Sequence, residues 1–326
     1  LPLMKELIED LFAKGMLHVL YTTETFAVGV NMPAKTVCFE ALRKFDGKEF
    51  RFLNSKEFFQ IAGRAGRRGI DKEGFVFAMI NRRDFDYGRI KKMTESDTEP
   101  IISQFRLSIN TILNLIKTHN QREIDEILAK SFHSFQQYGA AFEKKKNHLS
   151  HRTFENYKRR LEKMGYLKMG KLTPKGDFAS QIYADEIVFT EIFATEFYKD
   201  LNEFQVLMLI ACICYEGRAE FKMRYPSPLI KNLKKNLYAH HYLQNEKRFN
   251  FLDDLTALVH PIYHGATLFE VMGNSDLLEG DLIRFFRQMV DRMHQLKSAT
   301  RDRVLVSTLE SCELVLSTCM KDIDLI

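Results

Sequence analysis

The sequence has few cysteines and no long apolar run. No apolar stretch reaches the roughly 18 residues that cross a bilayer, and the first residues lack the regions of a secretory signal. The cysteines form no CxxC pair and have no histidine at zinc-ligand spacing. These absences argue against a membrane protein and against a disulfide-bonded secreted protein. They predict reduced core thiols in a cytoplasmic or nuclear protein, at Cys38, Cys212, Cys214, Cys312 and Cys319. The pair Cys212 and Cys214 admits a metal-binding interpretation, but its apolar surroundings favour packing.

Charge is unevenly distributed along the chain. The net charge of +5 does not by itself identify a nucleic-acid-binding protein. Residues 139–181, however, contain eleven Lys or Arg against four Asp or Glu, so the rest of the chain is slightly acidic. A local basic segment favours a phosphate-facing surface at this place.

The N-terminal part alternates predicted strands and helices. The chain begins inside a helical pattern that Gly15 ends, which predicts a fragment of a longer protein. Short apolar runs predict buried strands at 18–22, 36–40 and 75–80, with a helix over 54–64. This order predicts a parallel sheet whose ligands bind beyond the strand ends.

The remainder of the 326 residues is predicted to be mainly helical. The charged and irregular stretch 81–100 predicts a domain boundary. Helices are predicted over 102–117 and from Asn120, where Glu123 completes a capping box. A basic amphipathic helix over 153–165 and a small hairpin at Gly170 follow, and helices with a β-wing are typical of a winged helix. Apolar periodicity then predicts further helices at 204–213, 251–260, 281–297 and 304–319.

Two sequence blocks carry the functional signal. Residues 60–71, QIAGRAGRRGID, place Arg64 and Arg67 three positions apart, and we expect both on one helical face with Gln60 one turn before. Such guanidinium groups can bind the charge that develops during phosphoryl transfer. An isolated RxxR is usually a solvated helix end. Here a second block, TETFAVGVNMP at residues 23–33, precedes it by about thirty residues.

Together the blocks resemble motifs V and VI of superfamily-two helicases, in the form found in superkiller-type, exosome-associated DExH-box RNA helicases. The resemblance implies a partial RecA-like α/β domain with a parallel sheet over 1–90. It also implies connector helices and a winged helix over 91–181, then an all-α helical domain of the DSHCT type over 182–326.

The resemblance also implies roles for individual residues. In motif VI, Gln60 organises the γ-phosphate and the attacking water, while Arg64 and Arg67 stabilise the developing charge. ATP-side contacts further involve Asn31 and Gly63. In motif V, the nucleic-acid backbone is contacted at Thr23 and Gly29; an ordinary strand-to-helix turn is the alternative interpretation of this block.

Neither a GxxxxGK[ST] phosphate loop nor a DExH box occurs in the sequence. The resemblance therefore assigns most ATP and Mg²⁺ contacts to a first RecA-like domain outside this chain. We expect the chain alone to be inactive as an ATPase and to hold no metal site of its own.

Nucleic-acid contacts are expected on two helices. In the winged helix the charge is carried by Lys158, Arg159 and Arg160. In the helix 281–297, Arg284 and Arg287 lie opposite an apolar stripe, and the resemblance matches this helix to the ratchet helix that lines the channel for the single strand. A solvated face with an Arg287–Asp291 ion pair is the alternative.

The expected partners are single-stranded RNA or DNA and an RNA-decay complex, with a monomeric chain and no membrane. The exosome-cofactor branch inserts a long arch into its winged helix, whereas about fifteen residues separate Gln137 from Thr153 here. Partner contacts through an arch are therefore in question. Two other functions stay open: a DNA-repair helicase of the same architecture and a non-catalytic nucleic-acid-binding scaffold. An intact motif VI argues against the scaffold, and little in the sequence separates RNA from DNA.

Overall fold

The computed structural model describes residues 2–23, 34–46, 49–67, 69–81, 86–95, 100–139, 149–217 and 219–321. The chain divides into two compact units, residues 1–102 and 103–326. In the described ranges no helix is long and apolar enough to cross a membrane. The finer division at residues 90 and 181 stays a prediction.

The first unit combines a parallel strand pair, a hairpin and helices. Its elements are α1 (Pro2–Ala13), β1 (Thr36–Phe39), β2 (Arg43–Phe45), β3 (Phe50–Phe52), α2 (Ser55–Ala62), β4 (Phe75–Ala78) and α3 (Tyr87–Glu95). Strands β1 and β4 pair in parallel, with Thr36 opposite Phe75, which confirms the predicted parallel order. The antiparallel hairpin β2–β3 was not predicted. Gly15 ends α1 as expected, with a φ of +71°.

One predicted strand of this unit does not form, and the predicted burial of another is wrong. Residues 18–22 form no strand, and Tyr21 is 95% exposed, because no described strand pairs with them. All of β4 is exposed, and Cys38 of β1 is exposed too, so it is not a core thiol. The physical reason is that strands become buried only when other layers cover them. The apolar core of this unit is built by residues of β1, α2, α3 and the segments next to the hairpin, without a residue of β4.

Helix α3 occupies the stretch that was predicted to be irregular. Met93 is 4% exposed and Ile90, three positions earlier, packs against the same core. Spacing of this kind places both side chains on one helical face. In the same core the ring of Phe58 stacks on Phe39 with centroids 5.0 Å apart, which joins α2 to β1.

The second unit opens with short capped helices: α4 (Ile109–Thr118), α5 (Gln121–Ala129) and α6 (Phe132–Tyr138). Helix α4 begins after Ser108, whose side chain accepts a hydrogen bond from the Thr111 amide, and not at residue 102 as predicted. The predicted capping box of α5 is confirmed: the Glu123 amide donates to Asn120 Oδ1 at 3.0 Å, and the Asn120 amide donates to Glu123 Oε2 at 2.9 Å.

A helix, a hairpin and a second helix follow: α7 (Leu149–Lys163), β5 (Leu167–Lys168), β6 (Lys171–Leu172) and α8 (Pro174–Ser180). The predicted hairpin is confirmed, and Met169 and Gly170 both have positive φ, as a tight two-residue turn requires. A Cβ atom on Gly176 would lie 2.1 Å from the Tyr166 carbonyl oxygen. The start of α8 therefore packs directly on the backbone that leads into the hairpin.

The rest of the second unit is a helical bundle with α9 (Glu186–Phe193), α10 (Glu203–Cys214), α11 (Pro228–Ala239), α12 (Leu252–Tyr263), α13 (Leu268–Met272), α14 (Glu279–Ala299) and α15 (Arg303–Cys319). The predicted helices of this region are therefore confirmed. Helix α10 is apolar all round and buried all round, as expected of a central core helix. The packing interpretation of Cys212 is confirmed, since its Sγ is buried 3.3 Å from the Arg248 carbonyl oxygen.

Candidate functional site

The motif VI residues lie around the C-terminal end of α2. Gln60 is exposed in the last turn, and Gly63 caps a helix that ends at Ala62. Arg64 is half-buried and Arg67 is exposed, and both follow the helix. The prediction that the two arginines share one helical face is therefore wrong.

A backbone pairing explains why α2 stops before the arginines. The Ala34 amide donates to the Arg64 carbonyl oxygen at 2.9 Å, and the Gly66 amide donates to the Ala34 carbonyl oxygen at 2.7 Å. These bonds form an isolated parallel bridge between Ala34 and Ala65, with Arg64 in a turn and Gly66 in a bend. The motif therefore leaves the helix through a turn and pairs with Ala34 just before β1.

Gly66 and Gly74 let two backbone segments approach each other closely. The φ of +90° at Gly66 belongs to the left-handed region that favours glycine. A Cβ atom on Gly74 would lie 2.6 Å from the Gly66 nitrogen. The two glycines thus bring the motif VI segment against the residues that lead into β4.

Asp71 holds the side chain of Arg67. The Nε of Arg67 lies 2.8 Å from Oδ2 of Asp71, and a terminal guanidinium nitrogen lies 3.0 Å from Oδ1. The Arg67 amide also donates to the same carboxylate at 3.0 Å. These hydrogen bonds lower the pKa of Asp71 to about 2. Sequence reasoning missed this partner, although its position four residues after Arg67 was a usable signal.

Glu57 fixes the N-terminal end of the same helix. Its carboxylate accepts two hydrogen bonds from Arg51, at 2.9 and 2.7 Å, and lies 2.6 Å from Nζ of Lys44. It also completes a capping box with Asn54. The Arg51 guanidinium, followed by Lys44 and the Asn54 amide, lowers the pKa of Glu57 to about 2 although burial opposes the shift. Helix α2 is thereby attached to the hairpin β2–β3.

The remaining motif residues have different positions. Gly29 and Asn31 lie outside the described residues. Thr23 is exposed and belongs to no helix or strand. Within the first unit, the described candidate residues that lie together are therefore those of motif VI.

On α7 the predicted faces are confirmed. Phe154 and Leu161 are buried, whereas Arg159 and Arg160 are exposed. Lys158 is half-buried: its Nζ lies 3.4 Å from Gln121 Oε1 and 3.9 Å from Glu155 Oε1. This lysine therefore contributes less to the open basic face than its neighbours do.

Helix α14 is amphipathic as predicted. Its apolar stripe includes the buried side chains of Phe286 and Met293. On the opposite side Arg284 lies 2.9 Å from Glu216. Arg287 is exposed and makes no ion pair among the described residues.

The alternative ion pair between Arg287 and Asp291 is not formed. Oδ2 of Asp291 instead accepts a hydrogen bond from Gln295 Nε2 at 2.8 Å and lies 3.8 Å from Arg292. Arg287 is therefore an exposed residue without an ion-pair partner in the described part of the chain.

Comparison with known proteins places these features in context. Residues 169–317 match the model of the DSHCT (NUC185) domain. The chain is 44% identical over 140 residues to the human exosome RNA helicase MTR4, covering 43% of this chain and 13% of that protein. It is 47% identical over 135 residues to the DExH-box ATP-dependent RNA helicase DExH11 of Arabidopsis thaliana, covering 41% and 10%. It is 44% identical over 135 residues to the superkiller complex protein 2 of Mus musculus, covering 41% and 11%.

These matches confirm the resemblance to superkiller-type, exosome-associated helicases. They also show its extent, since the matched part spans only 10–13% of the length of these three relatives.

Proposed function

We propose that this chain is the C-terminal portion of an ATP-dependent RNA helicase that translocates on RNA and unwinds it during RNA processing or decay. The observation that carries the proposal is the presence, in one chain, of the motif QIAGRAGRR and of a DSHCT match over residues 169–317. Relatives named as RNA helicases support RNA as the substrate.

In this proposal the motif VI residues face the phosphates of ATP. Arg64 and Arg67 offer guanidinium donors, and Gln60 offers an amide, at the end of one helix. Asp71 holds the Arg67 fork by two parallel bonds, so its orientation is set before ATP arrives. Donors held in advance stabilise the charge of the transition state without reorganisation at the moment of reaction. Asn31 and Gly63 complete the ATP side, and Mg²⁺ is held mainly by a first RecA-like domain.

The second unit would hold the strand. We assign α14 as the ratchet helix, where Arg287 contacts phosphates directly and Arg284 does so on exchanging Glu216 for RNA. The unit formed by α7 and the hairpin β5–β6 is assigned as a winged helix whose basic face presents Lys158, Arg159 and Arg160. In motif V, Thr23 and Gly29 contact the same strand. A grip on backbone phosphates and bases of this kind needs no particular sequence.

The experiment compares ATP hydrolysis by this chain and by a protein that also contains the upstream RecA-like domain. We expect no hydrolysis by the chain alone, and hydrolysis by the longer protein that single-stranded RNA stimulates more than DNA of the same sequence. Equal or greater stimulation by DNA would favour the DNA-repair helicase. Absence of hydrolysis in the longer protein would favour the non-catalytic scaffold.

A further inference from the structure

A second basic segment lies in the helical bundle, away from α7 and α14 in the sequence. Residues 221–245 contain five Lys or Arg and no Asp or Glu. The segment includes the whole of α11 (Pro228–Ala239). It is basic although the chain outside residues 139–181 is slightly acidic, so its charge is again a local feature.

Helix α11 divides this segment into two faces. Ile230, Leu233 and Leu237 are buried against the bundle core. Lys231 and Lys235 are exposed one turn apart, about 6 Å along the helix axis. Neither lysine makes an ion pair with a described residue. Both ammonium groups can therefore bind an anionic ligand without first breaking such a pair.

Lys234 shows the contrast on the same helix. It is bound to Asp253 of α12, which is a structural ion pair within the bundle. On α7 and α14, likewise, Lys158 and Arg284 have carboxylate neighbours. Lys231 and Lys235 therefore have fewer carboxylate neighbours among the described residues than Lys158 and Arg284, for which the sequence predicted nucleic-acid contacts.

Aromatic side chains follow Lys235 in the sequence. Tyr238 is 55% exposed and lies three positions after Lys235, on the same face. The chain then continues through His241 and Tyr242, whose rings lie 4.7 Å apart and edge to face. An exposed ring on the same helix face as cations that form no ion pair with a described residue suits a single strand, because bases stack on the ring while phosphates contact the cations.

We propose that the face formed by Lys231, Lys235 and Tyr238 is an additional binding surface for single-stranded RNA. The choice of RNA rests on the proposed function, whereas the binding of a single strand rests on the face itself. Phosphates contact the two lysines, and one base stacks on Tyr238. An acidic protein segment would use the lysines too, but it would leave the tyrosine ring without a comparable partner.

The test measures the affinity of the 326-residue chain for a labelled single-stranded RNA of mixed sequence by fluorescence anisotropy at several salt concentrations. We expect Lys231→Ala with Lys235→Ala to weaken binding and to reduce the slope of log K against log salt by about 1.4, since each lost phosphate contact removes about 0.7. We expect Tyr238→Ala to weaken binding at least about fivefold, and Tyr238→Phe to retain the wild-type affinity.

A matched control removes two lysines that are already paired. Lys130 lies 2.5 Å from Glu126, and Lys199 lies 2.6 Å from Glu196. The variant Lys130→Ala with Lys199→Ala changes the net charge equally, and we expect it to leave the slope unchanged. Circular dichroism melting confirms that each variant is folded.

The proposal is overturned if the α11 double variant behaves like this control. It is also overturned if the double variant loses affinity for a labelled poly-glutamate peptide while keeping its affinity for RNA, because the face would then serve an acidic protein partner. Failure of ATP hydrolysis in the longer protein would refute the helicase proposal and leave this binding result unaffected.

Discussion

Two carboxylates fix helix α2 and the arginine that follows it. Glu57 fixes the start of α2 through Arg51 and Lys44, and Asp71 fixes the fork of Arg67. The sequence identified the arginine because its motif is distinctive. It did not identify Glu57, because that carboxylate acts through residues of a hairpin that no pattern predicted, and the i,i+4 spacing that signals Asp71 was not used.

We predict that Glu57→Gln destabilises the chain by roughly 1–2 kcal/mol at neutral pH, because Arg51 and Lys44 lose their charged acceptor. The pKa of Glu57 is lowered from 4.5 to about 2, so its stabilising effect is complete above pH 4.5. The effect is lost as the pH falls from there toward 2. The difference in the free energy of unfolding between wild type and variant should therefore be smaller at pH 3 than at pH 7. Urea denaturation at both pH values measures it.

The control for this prediction is Glu95→Gln, which alters an exposed pair with Lys91 at 3.5 Å. Exposed ion pairs of this kind contribute little to the free energy of unfolding, so we expect Glu95→Gln to change it little at either pH. If the free energies of unfolding of wild type and Glu57→Gln differ by the same amount at pH 7 and pH 3, the ion pairs of Glu57 with Arg51 and Lys44 do not stabilise the chain as described.

At the scale of elements, the sequence predicted helices better than strands. Amphipathic patterns and capping boxes are local, so α5, α7 and α14 were recognised from their own residues. A strand depends on a neighbour that a local pattern does not reveal. Residues 18–22 have the composition of a buried strand and yet form none, and β4 is a strand without being buried.

The two faces of α14 make a prediction about stability. We expect Arg284→Ala with Arg287→Ala to change the free energy of unfolding by less than about 1 kcal/mol, since surface changes usually stay within about 0.5 kcal/mol each. Phe286→Ala should lower the free energy of unfolding by about 3–5 kcal/mol, because that ring is fully buried. Chemical denaturation of the three proteins decides this, and a large loss in the arginine variant would mean that its face is buried.

The contact between α8 and the hairpin makes a second prediction at this scale. Gly176→Ala should destabilise the chain by more than about 2 kcal/mol, because its Cβ would lie 2.1 Å from the Tyr166 carbonyl oxygen. Gly273→Ala is the control, since no atom lies within 4 Å of the corresponding Cβ position. Thermal melting of both variants measures the difference; equal melting temperatures would show that the hairpin does not pack on α8 as described.

At the scale of the whole molecule, the sequence predicted the resemblance to superkiller-type helicases, the parallel strand pair and the helical second part. It did so because two motifs and a helical domain stand in the order of a known family. It did not reveal the face formed by Lys231, Lys235 and Tyr238. That these lysines form no ion pair with a described residue becomes evident only when the carboxylates around them have been placed. The residue roles in motifs V and VI remain predictions.

The proposed ratchet role of α14 leads to a prediction about the longer protein. In the longer protein, Arg284→Ala with Arg287→Ala should reduce unwinding more than ATP hydrolysis, because the ATP side keeps its residues and only the hold on the strand weakens. Both rates are measured on one preparation, with Lys130→Ala and Lys199→Ala as the charge-matched control. An unchanged amount of unwinding per ATP would exclude the ratchet role.

The most direct measurement of the central claim is RNA-stimulated ATP hydrolysis by the longer protein with Arg67→Ala. Arg89→Ala serves as the control, since Arg89 is an exposed residue of the same unit whose Nε lies 3.6 Å from Asp86. We predict that Arg67→Ala lowers kcat by about 10³–10⁵ while the Kd for RNA stays unchanged, because the charge it binds appears only in the transition state. Turnover close to that of the Arg89→Ala control would contradict the assignment of motif VI to ATP hydrolysis.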